Sequence, residues 1–265
     1  MGNVETHISL SQAIESVGLS TATPIKTEEG EFVVACEELY FYVTKRLEGK
    51  QLKVSAMYFE DYMPKARFIG EILGQLSVAL SKVDVITAQA NIFKSAKEWA
   101  IPTLVGKMDL PKSFVEKYEK EFGGIYESLP QQVIHRDPNP GNIIICGDNW
   151  GVLDFDLSER NIRIFDPCYA ATAILSESFE ADSTDKLNQW IMIYKNILYG
   201  YDEVVKLSDN EWKAIPYVVI TNQLISTAWF SEQEKYMDLY ETNKKMTEWM
   251  LLNFDNMLVY NDRML

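Results

Sequence analysis

At 265 residues, with 47% hydrophobic residues and 12 Phe, 6 Trp and 14 Tyr, the chain can bury a sizeable core, which excludes intrinsic disorder. Its 25 basic and 39 acidic residues give a formal net charge of −14, which works against nucleic-acid and anionic-membrane binding and is either the ordinary acidic surface of a soluble protein or a field that favours a cationic partner. Two histidines, His7 and His135, and three scattered cysteines, Cys36, Cys146 and Cys168, exclude a structural zinc site and imply reduced thiols.

The first residues lack the basic and apolar regions of a signal peptide. The most apolar long window, 215–230, is interrupted by Asn222 and Gln223, so a cytoplasmic location is expected. Residues 5–17 predict a short helix that stops at Gly18. Strand-like pieces follow at 23–27, 31–36 and 39–47, rich in β-branched and aromatic residues. From about residue 54 the period becomes helical, with Phe68, Ile72, Leu73, Leu76, Ala79 and Leu80 at steps of three and four. Val115, Tyr118, Phe122 and Ile125 continue it to Pro130, and after Pro167 the pattern is helical again. Ser208 with Glu211, and Ser231 with Glu234, predict two capping boxes. Met237, Tyr240, Met246, Trp249, Met250 and Leu251 supply a last helix. The expected class is α+β, with a small N-terminal sheet and a mostly helical body.

One insert interrupts that body, "VIHRDPNPGNIIICGDNWGVLDFDLS" at 133–158. Short apolar strands there bracket His135, Arg136, Asp137, Asn139, Asn142, Asp154 and Asp156. Burying such groups is costly unless something polar or metallic meets them. Asp137 stands five residues before Asn142, and Asp154 twelve after it. Two carboxylates and an amide oxygen are hard donors of the kind that suits Mg²⁺ beside phosphates.

"HRDPNPGN" followed by "VLDFD" resembles the H-x-D-x-x-x-x-N catalytic loop and the D-F-x metal loop of the protein-kinase-like fold, in the form used by the aminoglycoside phosphotransferase and choline kinase family. "RIFDPCYAATAIL", "FYVTKRLEGK" and "GYDEVVKLSDNEWKAI" are similar to further segments of that family, extending the likeness from about residue 17 onward. The resemblance implies an ATP- and Mg²⁺-dependent transfer to a hydroxyl of a small molecule. Asp137 would be the catalytic base, His135 a brace of the catalytic loop, and Asn142 and Asp154 the metal ligands. Lys45, Arg46 and Leu47 would form the nucleotide-side hinge. It further implies a partial N-lobe over 1–48 with its hinge near 44–49, and a helical C-lobe over 49–265 that carries the catalytic loop at 133–146 and the metal loop at 151–158.

Several positions depart from the family pattern. Arg136 replaces a usual small residue and is expected to make a salt bridge, Asp166 is expected to tie loops together, and Ala170 stands where the family often has Asp. No glycine-rich hairpin precedes the hinge, and the 5–17 helix offers only Glu5 as partner for the fold's strand lysine. Lys45 matches that lysine less well than it matches the hinge. Weak activity is therefore expected, and a kinase-like binding module is a rival reading. A remoter rival takes Asp154 and Asp156 as the D-x-D loop of a haloacid-dehalogenase-type phosphatase. Glu232, Glu234, Asp238 and Glu241 either greet a cationic acceptor or form a solvated face.

Overall fold

A few apolar residues, rather than a regular apolar stripe, seat the first helix. In a computed structural model, which describes residues 2–59 and 61–259, the helix Gly2–Ser16 buries Ile8, Leu10 and Ile14. It ends just before Gly18, whose φ of +93° is a conformation that favours glycine. Leu10 and Ile14 pack with Leu76, Ala79, Leu80, Val133, Val152 and Phe155, so this helix is seated on the polar insert.

The expected N-terminal strands form, but in fragments. Pro24–Ile25 pairs antiparallel with Val43–Thr44, and Val34–Cys36 pairs with Leu39–Phe41. A four-stranded sheet runs in the order Ser20–Thr21, Asn149–Val152, Ile143–Cys146, Lys50–Gln51. The insert's hairpin thus lies between strands from either end of the N-terminal region. A three-stranded sheet sets Glu159–Ile162 between Ala88–Gln89 and Gln131–Ile134. Ala88–Gln89 and Glu159–Ile162 escape the sequence reading, because two residues, or a run reading Glu-Arg-Asn-Ile, carry no apolar alternation.

Helices make up the rest. Tyr62–Leu80 and Thr184–Val205 touch backbone to backbone: a Cβ added to Gly70 would overlap the Ile197 carbonyl, and one on Gly200 would overlap that of Arg67. Around this contact Ile69, Leu73, Ile193, Ile197 and Tyr201 are buried, each such side chain contributing roughly 1.5–3 kcal/mol. The 112–126 helix widens into a π turn at Tyr118–Phe122. Around that turn Phe93 stacks on Tyr118 and Phe122 on Tyr217, while Phe93–Phe122, Tyr118–Phe122 and Phe122–Tyr126 meet edge to face.

The helix Asp209–Ser231 opens with the predicted Ser208–Glu211 capping box. The second predicted box is absent. Ser231 is the last residue of that same helix, and its hydroxyl donates to the Ala228 carbonyl; the turn Glu234–Tyr236 is preceded by Gln233 instead. A helix still running through its candidate cap leaves the serine no free N–H groups to bond. Among the described residues no helix is long and apolar enough to cross a membrane.

Candidate functional site

Antiparallel pairing of Gln131–Ile134 with Glu159–Ile162 delivers the chain into the 135–142 loop. His135 is fully buried there. Its Nε2 donates to the Leu153 carbonyl at 2.8 Å and its Nδ1 accepts from the Asp137 N–H at 3.3 Å. Burial lowers its pKa, and with both nitrogens engaged the ring is a neutral brace across the loop. Phe155 packs on it at a centroid distance of 4.8 Å.

Arg136 adopts φ +73°, the left-handed region that a bulky residue rarely occupies. Two sets of contacts hold it there. Its N–H donates to Asp166 Oδ1 at 2.9 Å, beside the His135 N–H on Oδ2 at 2.9 Å, and its Nε lies 2.9 Å from Glu159 Oε1. The salt bridge and the loop tie expected of Arg136 and Asp166 are both present. Ala170, in place of the family's usual Asp, is buried in the core.

Burial pushes the Asp166 carboxyl up to about 7, against the pull of its two backbone N–H donors. A carboxyl raised on folding holds its proton more tightly when folded. Its contribution to stability is therefore present at low pH and lost as pH rises from the ordinary 3.8 through about 7. Replacing Asp166 with Asn is expected to flatten the decline in unfolding midpoint between about pH 4 and about pH 7, as measured by thermal denaturation. An unchanged slope in the variant would show that Asp166 stays ionised throughout.

Asp137 is held by amides. Asn139 Nδ2 donates to its Oδ1 at 3.0 Å, and Asn142 Nδ2 donates to its backbone carbonyl at 2.9 Å and, more weakly, to Oδ2 at 3.4 Å. Tyr169 lies close enough to feel the charge of the same carboxylate. The Leu153 N–H donates to the Asn142 carbonyl at 2.9 Å, which places Asp154 at the open end of the hairpin beside Asn142. Asp154 takes φ +65°, and its Oδ1 accepts the Asp156 N–H at 3.4 Å.

Two cavities adjoin this loop. One, of about 650 Å³, is lined by His7, Tyr42, Lys45, Arg46, Leu47, Asp154 and Asp156. The predicted hinge residues and one predicted metal ligand thus share a wall. The other, of about 400 Å³, is lined by Trp99, Arg136, Glu159, Tyr169, Asn222, Trp229 and Phe230. Asn222 is buried there, and its amide nitrogen has no hydrogen-bond partner among the described residues. Glu232, Glu234, Asp238 and Glu241 are all exposed and none lines this cavity, which favours the solvated-face reading.

From the first helix it is His7, not Glu5, that lines the larger cavity. Glu5 is exposed and borders a separate groove beside Phe32 and Tyr40. Lys45 Nζ lies 3.8 Å from Glu15 Oε1, with both side chains largely exposed. His7 is 4% exposed, its ring 5.3 Å from that of Tyr42 and 6.4 Å from that of Phe155. Its Nδ1 lies 3.0 Å from Asp156 Oδ1. Sequence reasoning passed over it, since a single histidine on a weakly patterned helix carries no motif. Burial, and then the charge of Asp154, raise the Asp156 pKa while His7 opposes them. The D-x-D loop of a phosphatase would sit in a parallel α/β domain, whereas this one follows the second strand of an antiparallel hairpin and leads into the strand Glu159–Ile162, itself paired antiparallel with Gln131–Ile134.

A sequence model of the "Phosphotransferase enzyme family" matches residues 21–190. No curated protein matches the chain. Solved structures with the same fold include the amicoumacin kinase hAmiN in complex with AMP-PNP, Ca²⁺ and Ami, at 14% identity and a TM-score of 0.67, covering 92% of this chain and 77% of that one. The microcompartment-associated aminopropanol kinase matches at 12% identity and 0.70, covering 97% and 83%. A choline/ethanolamine kinase family protein from Mesorhizobium loti matches at 13% and 0.63, covering 97% and 82%.

Proposed function

The chain belongs to the phosphotransferase enzyme family, and from that membership we propose that it is a kinase moving the terminal phosphoryl group of ATP to a hydroxyl of a small molecule. One observation carries the reading: the neighbours of Asp137 reach both cavities. Tyr169, near its carboxylate, lines the aromatic cavity, and Asp154, beside Asn142, lines the larger one. A carboxylate so placed can orient a hydroxyl from one side toward a phosphate on the other.

In this scheme Asp137 accepts the acceptor's proton, and the Asn139 and Asn142 amides fix its direction. His135 keeps the loop in shape and takes no part in proton transfer. The Asn142 amide oxygen and the Asp154 carboxylate are hard donors that would hold Mg²⁺, which supplies charge neutralisation on the phosphates. Residues 45–47 would border the nucleotide base as the hinge between an N-lobe over 1–48 and a C-lobe over 49–265. A cytoplasmic location accompanies the reading, because ATP is available there. For the acceptor, the aromatic faces of Trp99, Trp229 and Phe230 suit a cationic alcohol, since Glu159 is already paired with Arg136.

Among the described residues Lys45 is the one lysine lining the nucleotide cavity, and its exposed ammonium is loosely placed. A lysine so loosely placed forgoes transition-state electrostatics worth several kcal/mol, so low turnover is expected. The same observation favours a second reading, a kinase-like module that binds without transferring phosphate.

Titration with MgATP, followed by thermal unfolding, separates the two. A ligand at about one hundred times its Kd stabilises by about 2.7 kcal/mol. The kinase reading expects this shift together with slow phosphorylation of an amino alcohol. Absence of any shift at millimolar MgATP would favour the module and sink the kinase.

A further inference from the structure

We propose that the phosphate acceptor is a two-part molecule, with a flat apolar ring in the aromatic cavity, an ammonium-bearing tail in a polar cavity beside it, and the reacting hydroxyl between them. The proposal rests on the phosphotransferase reading. It refines the cationic alcohol of that reading by placing the charge near Glu177 and a ring against the indoles.

The polar cavity, of about 360 Å³, is lined by Asn139, Thr172, Ser176, Glu177, Gln223 and Asn243. Tyr169, Ser226 and Phe230 line it and the aromatic cavity alike. Shared residues alone would also fit a partition, so the helix faces decide. On the helix Phe165–Ser178, Phe165 and Tyr169 line the aromatic cavity, while Tyr169, Thr172 and Ser176 line the polar one. Steps of four, three and four put these residues on one face, which runs about 16 Å at the rise of an α-helix. The helix Asp209–Ser231 packs against this one. On it Ser226 and Phe230 lie one turn apart between the cavities, with Trp229 on the aromatic side and Gln223 on the polar side. Both helices therefore line one trough that changes character along its length.

The two ends ask for different chemistry. Trp99, Phe165 and Trp229 offer ring faces and edges on which a flat apolar group can stack. Glu177, at the other end, is exposed and has no ion-pair partner among the described residues, and the net charge of −14 reinforces its pull on an ammonium. Where the ends meet, the half-buried Ser226 hydroxyl has no hydrogen-bond partner among the described residues, so it can bond to the acceptor's own polar atoms. Asp137 belongs to this join. Asn139, which donates to its Oδ1 at 3.0 Å, lines the polar cavity, and Tyr169, near its carboxylate, lines both. An amino alcohol of a few heavy atoms would reach one end only, whereas each cavity is large enough to take a substantial part of a larger ligand.

The test uses the full chain and three probes. One is an aryloxypropanolamine with a naphthyl ring and a primary amine, which carries both parts; the others are its halves, methoxynaphthalene and the methoxy ether of the same propanolamine. Calorimetry without nucleotide reads binding apart from phosphotransfer. The joined probe should bind about 100-fold or more tighter than either half, because linking makes the second contact intramolecular. Trp229→Ala should weaken the joined probe and methoxynaphthalene by about tenfold and leave the amine half within about twofold. Glu177→Gln should weaken the joined probe and the amine half by about threefold, as a solvent-exposed ion pair allows, and leave methoxynaphthalene unchanged. Both side chains are exposed, so neither change threatens the fold. With MgATP added, kcat/KM should favour the joined probe over the amine half by about the same 100-fold. The binding pattern without any phosphate transferred would support the two-part site and tell against the kinase. Phosphorylation of the amine half as fast as the joined probe would overturn the proposal and leave the kinase standing. A joined probe no tighter than its better half, or variants that weaken both halves alike, would also overturn it.

Discussion

Phosphotransfer by an Asp137→Asn variant is expected to fall by about 10²- to 10⁴-fold, the range a positioned general base contributes, with MgATP affinity close to that of the parent. The substitution is nearly isosteric. It keeps an oxygen for the Asn139 amide, and the 2.9 Å bond from Asn142 to the Asp137 backbone carbonyl does not depend on the side chain. What it removes is the charge that draws the acceptor's proton. The new amide would also face the Asn142 Nδ2 across the former 3.4 Å contact, so the variant's unfolding midpoint must be checked alongside its rate. Asp156→Asn supplies the comparison. A phosphoaspartate mechanism would lose most at the D-x-D loop, while the kinase scheme loses most at Asp137. Initial rates with ATP and an amino alcohol measure both, and an Asp137→Asn enzyme at full speed would end the assignment.

The parts of this site that were legible in the sequence are those whose geometry is local. Asp137, Asn139 and Asn142 lie within five residues, so the spacing that spells the loop also builds its hydrogen bonds. The α+β class was legible for a similar reason, because apolar steps of three and four continue across most of the body. His7 was not legible. Its partners Phe155 and Asp156 lie nearly 150 residues away, and only the packing of Leu10 and Ile14 against Val152 and Phe155 brings them together. The left-handed backbone at Arg136 was equally hidden, since a bulky arginine does not advertise a positive φ. The false capping box at Ser231 shows the opposite error. A short motif read alone could not register that the helix before it had not yet ended.

Glu211→Ala is expected to lower the free energy of unfolding by about 3 kcal/mol, toward the lower end of the range for breaking a buried ion pair. One fully buried carboxylate serves two structures here. Oε1 accepts Arg163 Nε at 2.6 Å, while Oε2 accepts Arg163 NH2, the Ser208 N–H and the Ser208 hydroxyl, each at 2.9 Å. Removing it opens the capping box and strands a guanidinium at once. The Arg163 side chain is 21% exposed, so water can recover part of its hydrogen bonding, which is why the lower end is chosen. Glu211→Gln should cost less, since its amide oxygen can still accept from Ser208. The consequence reaches the site because Arg163 directly follows the strand Glu159–Ile162 and precedes Asp166 by three residues, and its carbonyl accepts the Tyr201 hydroxyl at 3.0 Å. Loosening this corner therefore loosens the carboxyl that ties down His135 and Arg136. Urea unfolding of both variants checks the ordering, and an alanine variant within about 1 kcal/mol of the parent would mean that the pair's desolvation had cancelled its attraction.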